Sequence, residues 1–152
     1  MATEEQATVS RALLAKYHAA LITALPEGEV AKVRLKLGGA LLEPFIESLG
    51  DQPLDHAQVK PRLEAYLREE LQMADRVNVT VEGNEVSVEM SGCHLCHGND
   101  LLRRQGKQPC CPFAPGINRA LSRALKGGSR VEGVSKPSGV LGECVIKYTT
   151  GG

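Results

Sequence analysis

The sequence predicts an α+β domain in which N-terminal helices pack on an antiparallel sheet, built from two hairpins with a short helix between them. Two observations carry this expectation. Apolar residues recur at helical spacing through about Met73, then alternate with polar ones from Val77 onward. The alternating runs come as neighbours joined by turns bearing Gly or Pro, which makes hairpins rather than parallel crossovers.

In chain order, "TEEQ" (residues 3–6) has the form of a capping box, with Thr3 as N-cap and Gln6 reaching back. Val9, Leu13, Leu14, Tyr17, Ala20, Leu21, Ala24 and Leu25 follow at helical spacing until Pro26 closes the segment. Over residues 29–49, Val30, Val33, Leu37, Leu41, Phe45 and Leu49 suit a second helix, which Gly38, Gly39 and Pro44 should weaken or bend. A third helix is expected from about Asp55 to Met73, burying Leu63, Tyr66, Leu67 and Leu71. Val77, Val79 and Val81 then alternate, as do Val86, Val88 and Met90, and Gly83-Asn84 between them marks a hairpin turn. Residues 91–113 read as a cysteine-bearing connection. "PGINRALSRALKGG" reads as a short helix, with Pro115 near its start and Gly127-Gly128 past its end. "SRVEGV", a Pro/Gly turn and "GECVIKY" supply the second strand pair.

The chain has 152 residues, which suits a single domain (1–152) that can bury a core without disulfide staples. Eighteen basic and eighteen acidic side chains cancel, so no global field steers it to nucleic acid or an anionic membrane. Trp is absent and aromatics make up only 3%, so the core must be aliphatic and a base-stacking platform is not expected. The N-terminal stretch is acidic where a signal peptide would be basic, and Arg11, Lys16 and His18 interrupt its apolar part. With no stretch of membrane-span length, a cytoplasmic location is expected. Five cysteines in a reducing compartment then suggest metal ligands, redox groups or buried thiols rather than disulfides.

The chemistry is concentrated in "SGCHLCHGND". Cys93 and Cys96 have the C-x-x-C spacing that lets two thiolates converge on one ion. Cys110 and Cys111 follow, and neighbours in extended chain point opposite ways, so one of the two is expected to join the same ion. Cys144 alternates in phase with Ile146 and Tyr148 in the last strand, and reaches the site if that strand pairs beside the first hairpin. The candidate metal set is therefore Cys93, Cys96, Cys110 or Cys111, and Cys144, with His97 or His94 as substitutes. A redox dithiol and plain buried thiols compete with it, since free cysteine often serves as a small hydrophobe. Read as C-x-x-C-H, the motif would attach a covalent haem with His97 on the iron, but no export signal supports that. His18 and His56 are expected to be surface or internally satisfied histidines, and "LLRRQGK" (Arg103, Arg104, Lys107) a solvated loop face that could also approach an anion.

From about Glu82 onward the chain resembles the vinyl-4-reductase (hydrocarbon-binding) domain family. The residues that carry the resemblance are "VSVEMSGCHLC", "CCPFAPGINRAL" and "GVLGECVIKY"; "VRLKLGGALLEPF" fits more loosely. The resemblance implies a helix-flanked antiparallel sheet related to vesicle-tethering complex subunits. It also implies an apolar pocket for a small molecule, a cysteine-ligated zinc and a homodimer. By the same resemblance, Cys110 or Cys111 takes the ligand position before the short helix and Cys144 that of the last strand. Glu132 lies near an acidic ligand position of some members. Where members often carry a further cysteine, this chain has "SKPSG", and Cys93 and Cys96 would supply thiolates instead.

The expected function is thus a non-enzymatic domain that binds or senses a small apolar ligand, with a thiolate-held metal, zinc before iron. The alternatives are a redox or iron–sulfur protein using the C-x-x-C pair, and a dimeric structural adaptor with inert cysteines.

Overall fold

The computed structural model describes residues 10–139 and 142–151. The expected capping box at residues 3–6 and Val9 lie outside them. The α+β architecture is the one the period change predicts: helices α1 (Arg11–Ala24), α2 (Glu27–Ser48) and α3 (His56–Ala65) precede a hairpin of β1 (Arg76–Glu82) and β2 (Glu85–Ser91). Helices α4 (His94–Arg104) and α5 (Phe113–Ala124) follow, then β3 (Ser129–Ser135) and β4 (Cys144–Thr150). The strands form one antiparallel sheet in the order β1-β2-β4-β3, so the last strand lies against the first hairpin.

The helix and strand starts have local causes. Ser10 caps α1 through Leu13 N–H, and Asp55 with Gln58 closes a capping box on α3. Gly83, at φ +59°, opens the two-residue turn of the first hairpin, where a glycine costs least. The third helix is shorter than expected. Its last turn, Tyr66–Glu70, is π-helical, and Leu71 N–H bonds to Tyr66 O at 2.8 Å. Gln72 then takes a left-handed φ of +52°, which ends the helix and turns Met73 into the core.

Valines 77, 79, 86 and 88, with Met90, Ile146 and Tyr148, form the inner face of the sheet. Leu42, Phe45, Leu63, Leu67, Ile117 and Leu121 cover it from α2, α3 and α5. Burial of that apolar surface is the main driving force of the fold. A smaller cluster of Ala19, Ile22, Leu102 and Cys110 sits between α1 and α4.

Three features differ from the sequence reading. First, α2 is continuous through Gly38, Gly39 and Pro44. Gly38 is a packing residue: a Cβ there would lie 2.9 Å from Gly116 N and would run into Pro112 O, so the glycine pair lets α2 and α5 cross backbone to backbone. Second, the connection at 91–113 holds a further helix, α4. Its inward side is made of Cys96, Gly98, Asn99, Asp100 and Leu102, a mostly polar face that an apolar periodicity cannot reveal. Third, α1 buries Ala15, His18, Ala19 and Ile22, leaving Leu13 61% and Tyr17 63% exposed. Small residues win because α1 lies close on α4, where a Cβ on Gly98 would come 2.9 Å from Ala15 O.

Candidate functional site

Four of the five cysteines meet at the sheet end where β2, α4, α5 and β4 come together. β2–β4 register sets Cys144 opposite Met90. Gly92, at φ +69°, then turns the chain so that Cys93 N–H donates to Gly142 O at 3.0 Å, and His94 N–H to Met73 O at 2.9 Å. These bonds fix the start of α4 beside the start of β4. Cys93 stands at the N-cap of α4 and Cys96 in its first turn. Both are buried, as is Cys144.

The thiols form a relay. Cys93 S–H donates to the Cys96 sulfur, and Cys96 S–H donates to Cys144. Donation to Cys96, followed by burial, holds the Cys93 thiol far above its ordinary pKa. Donation to Cys144, with burial, pushes Cys96 up to about 12. Cys111 completes the group: its charge is felt by Cys96, and that of Cys93 by Cys111. Burial raises Cys111 too, partly offset by the N–H groups of Ala114 and Phe113 and by the Arg34 guanidinium. Cys110 faces the other way, into the α1–α4 cluster, with its N–H on Asn99 Oδ1 at 2.9 Å. The opposed directions expected for the pair hold, and it is Cys111 that turns toward Cys93 and Cys96.

Donor chemistry and spacing bear differently on a metal. The N–H groups of Leu95 and Cys96 at the Cys93 sulfur, and those of Phe113 and Ala114 at Cys111, favour thiolates, although Cys93 makes no full capping bond. Among the described residues, however, no group of three or more His, Cys, Asp or Glu side chains is arranged to hold an ion. The sulfurs as they stand are those of hydrogen-bonded thiols. His97, the expected substitute ligand, packs against Gly142, and its neighbouring charges are Arg11, Asp100, His94 and Lys136. Its buried Nε2 has no hydrogen-bond partner among the described residues. Burial lowers its pKa, so the neutral ring is favoured. Glu132 is exposed at a bulge of β3, where Thr149 and then Arg130 hold its carboxylate below the ordinary range. A haem bound through Cys93 and Cys96 would need open space at two residues that are only 1% and 7% exposed.

His18 and His56 are internally satisfied, as expected. His18 Nε2 donates to Asn99 Oδ1 at 2.9 Å, and His56 Nε2 meets Thr150 Oγ1 at 2.8 Å.

Beside the cluster lies a cleft of about 750 Å³ between α1, α2 and α4. Ile22, Leu25, Val30, Ala31, Leu102 and Val134 give it apolar walls, and Cys111 also lines it. Arg34, Arg103, Lys107 and Glu27 supply charge. Arg34 was not singled out by sequence, although a cation one turn from both Val30 and Gly38 on a packed helix face was a usable signal. Arg103 and Lys107, read as a solvated loop, belong to the end of α4 and the turn after it, and help line this cleft.

No protein-family model matches the chain, and no curated protein matches it, so the resemblance to the vinyl-4-reductase family rests on the residues quoted above. No helix among the described residues is long and apolar enough to cross a membrane.

Proposed function

We propose that this chain is a small-molecule-binding domain that takes an apolar ligand in the cleft between α1, α2 and α4. One observation carries the reading: Cys111 lines the cleft and also belongs to the buried cysteine group, so pocket and thiols form a single site. The size and mostly apolar walls of the cleft suit a ligand of modest size held by contact area, with a few polar groups for orientation. The test is titration with N-phenyl-1-naphthylamine, a neutral fluorescent probe. Saturable binding is expected at one probe per chain, and Ala31→Trp, which fills the cleft from an exposed position, should abolish it. Absence of saturable binding, or equal binding by the variant, overturns the reading.

The expected zinc is the second part of this proposal. Cys93, Cys96, Cys111 and Cys144 would hold it, giving up the shared thiol protons, and its binding energy would add to folding. Protein purified anaerobically should carry about one zinc per chain. Cys144→Ala should lose the metal and Cys110→Ala should keep it. A metal-free wild-type protein favours the second reading, an inert thiol cluster, for which the lack of a metal-holding arrangement among the described residues speaks. The homodimer implied by the family resemblance is proposed on the same footing, with sedimentation as its test.

A further inference from the structure

The charges of the cleft specify its ligand beyond apolar character. Arg34 comes from the middle of α2 and is half-buried, with Nε donating to Cys111 O at 2.9 Å. Among the described residues no carboxylate forms an ion pair with it. A half-buried guanidinium without an anion has given up part of its hydration and kept its terminal N–H donors available. Arg103 and Lys107 add positive charge to the same cleft, and among the described residues the one acid lining it is Glu27. Arg103 is already paired with Asp100 at 2.8 Å, and Lys107 donates to Thr23 Oγ1 at 3.1 Å. Among the described residues neither Arg34 nor Lys107 has a counter-ion, and of the two only Arg34 is partly withdrawn from water.

We infer that the natural ligand is an amphipathic carboxylic acid, its apolar body between α1, α2 and α4 and its carboxylate on the Arg34 guanidinium. This rests on the ligand-binding reading above and adds the head group. The geometry favours a planar anion, because the guanidinium edge can donate two parallel hydrogen bonds to a carboxylate. Lys107, at the more exposed end, speeds entry of an anion more than it holds one.

The experiment compares decanoate with decan-1-ol by calorimetry at pH 8, where decanoate is ionised. Wild-type protein should bind decanoate about tenfold or more tightly than the alcohol, the range for a hydrogen bond to a charged group. In Arg34→Met that ratio should fall to about one while alcohol binding persists, and Arg34→Lys should recover part of it. Equal affinity of the wild-type protein for acid and alcohol overturns the head-group inference and leaves the apolar cleft standing. Binding of neither compound overturns the ligand-binding reading and this inference together. The wild-type comparison decides the matter even if Arg34→Met fails to fold.

Discussion

Substitution of Gly38 by alanine tests whether the crossing of α2 and α5 is as close as the structure has it. In an exposed helix the change would stabilise by about 1 kcal/mol, since glycine is the weaker helix former. Here the added methyl would meet Gly116 N at 2.9 Å, Gly116 Cα at 3.1 Å and, closer still, the Pro112 carbonyl. All three are backbone atoms, which cannot rotate away, so the helices must separate. Overpacking of this kind costs about 1–3 kcal/mol, and immovable neighbours put it near the upper end. Subtracting the gain in helix propensity leaves about 2 kcal/mol of net destabilisation, or ~4–8 °C in Tm for a domain of this size. Gly28→Ala is the matched control: it lies exposed in the first turn of α2 with nothing within 4 Å, and should stabilise by about 0.5 kcal/mol. Urea denaturation of both variants reads the two signs. Gly38→Ala with unchanged or increased stability would refute the close crossing, and with it the placement of Arg34 against Cys111 beside it.

Other expectations follow from the same geometry. Asn99→Ala removes the acceptor shared by His18 Nε2 and Cys110 N–H, leaving two buried donors unmet. It should cost about 2–4 kcal/mol in urea denaturation. Because Cys96 is raised from 9.0 to about 12 in the folded chain, that state keeps a proton which the unfolded chain releases from about pH 9 upward. Metal-free protein should therefore lose stability as the pH climbs from about 9 toward 12, and Cys96→Ala should flatten the slope. A bound metal reverses the trend, since thiol deprotonation then favours binding; urea midpoints at pH 8 and pH 10, with and without chelator, separate the two cases.

The legible parts of this sequence were those with a hydrophobic period. Val77–Val81 and Val86–Met90 announce the hairpin because one face of the sheet is buried and the other is wet. The in-phase Cys144, Ile146 and Tyr148 likewise place Cys144 on the inner face. Helix α4 escaped because what it buries includes Gly98, Asn99 and Asp100, whose hydrogen bonds and close contacts carry no hydropathy signal. For α1 the signal misled: its larger apolar residues point outward, and the contact with α4 uses Ala15, His18 and Ala19. That Cys110 and Cys111 diverge follows from backbone geometry alone. Which of them meets Cys93 depends on how α5 is seated by the Gly38–Gly116 crossing, a contact between residues far apart in the chain. The cleft was illegible for the same reason, being assembled from three helices.

The union of cleft and cysteine group through Cys111 is the central claim, and site-resolved alkylation tests it most directly. Metal-stripped protein would be treated with iodoacetamide at pH 8.5, with and without saturating N-phenyl-1-naphthylamine, and each thiol followed by peptide mass spectrometry. Cys111, the one cysteine of the five that is not fully buried, should label first, and the probe should slow it several-fold. First labelling at Cys110, or a Cys111 rate unchanged by the probe, would contradict the account.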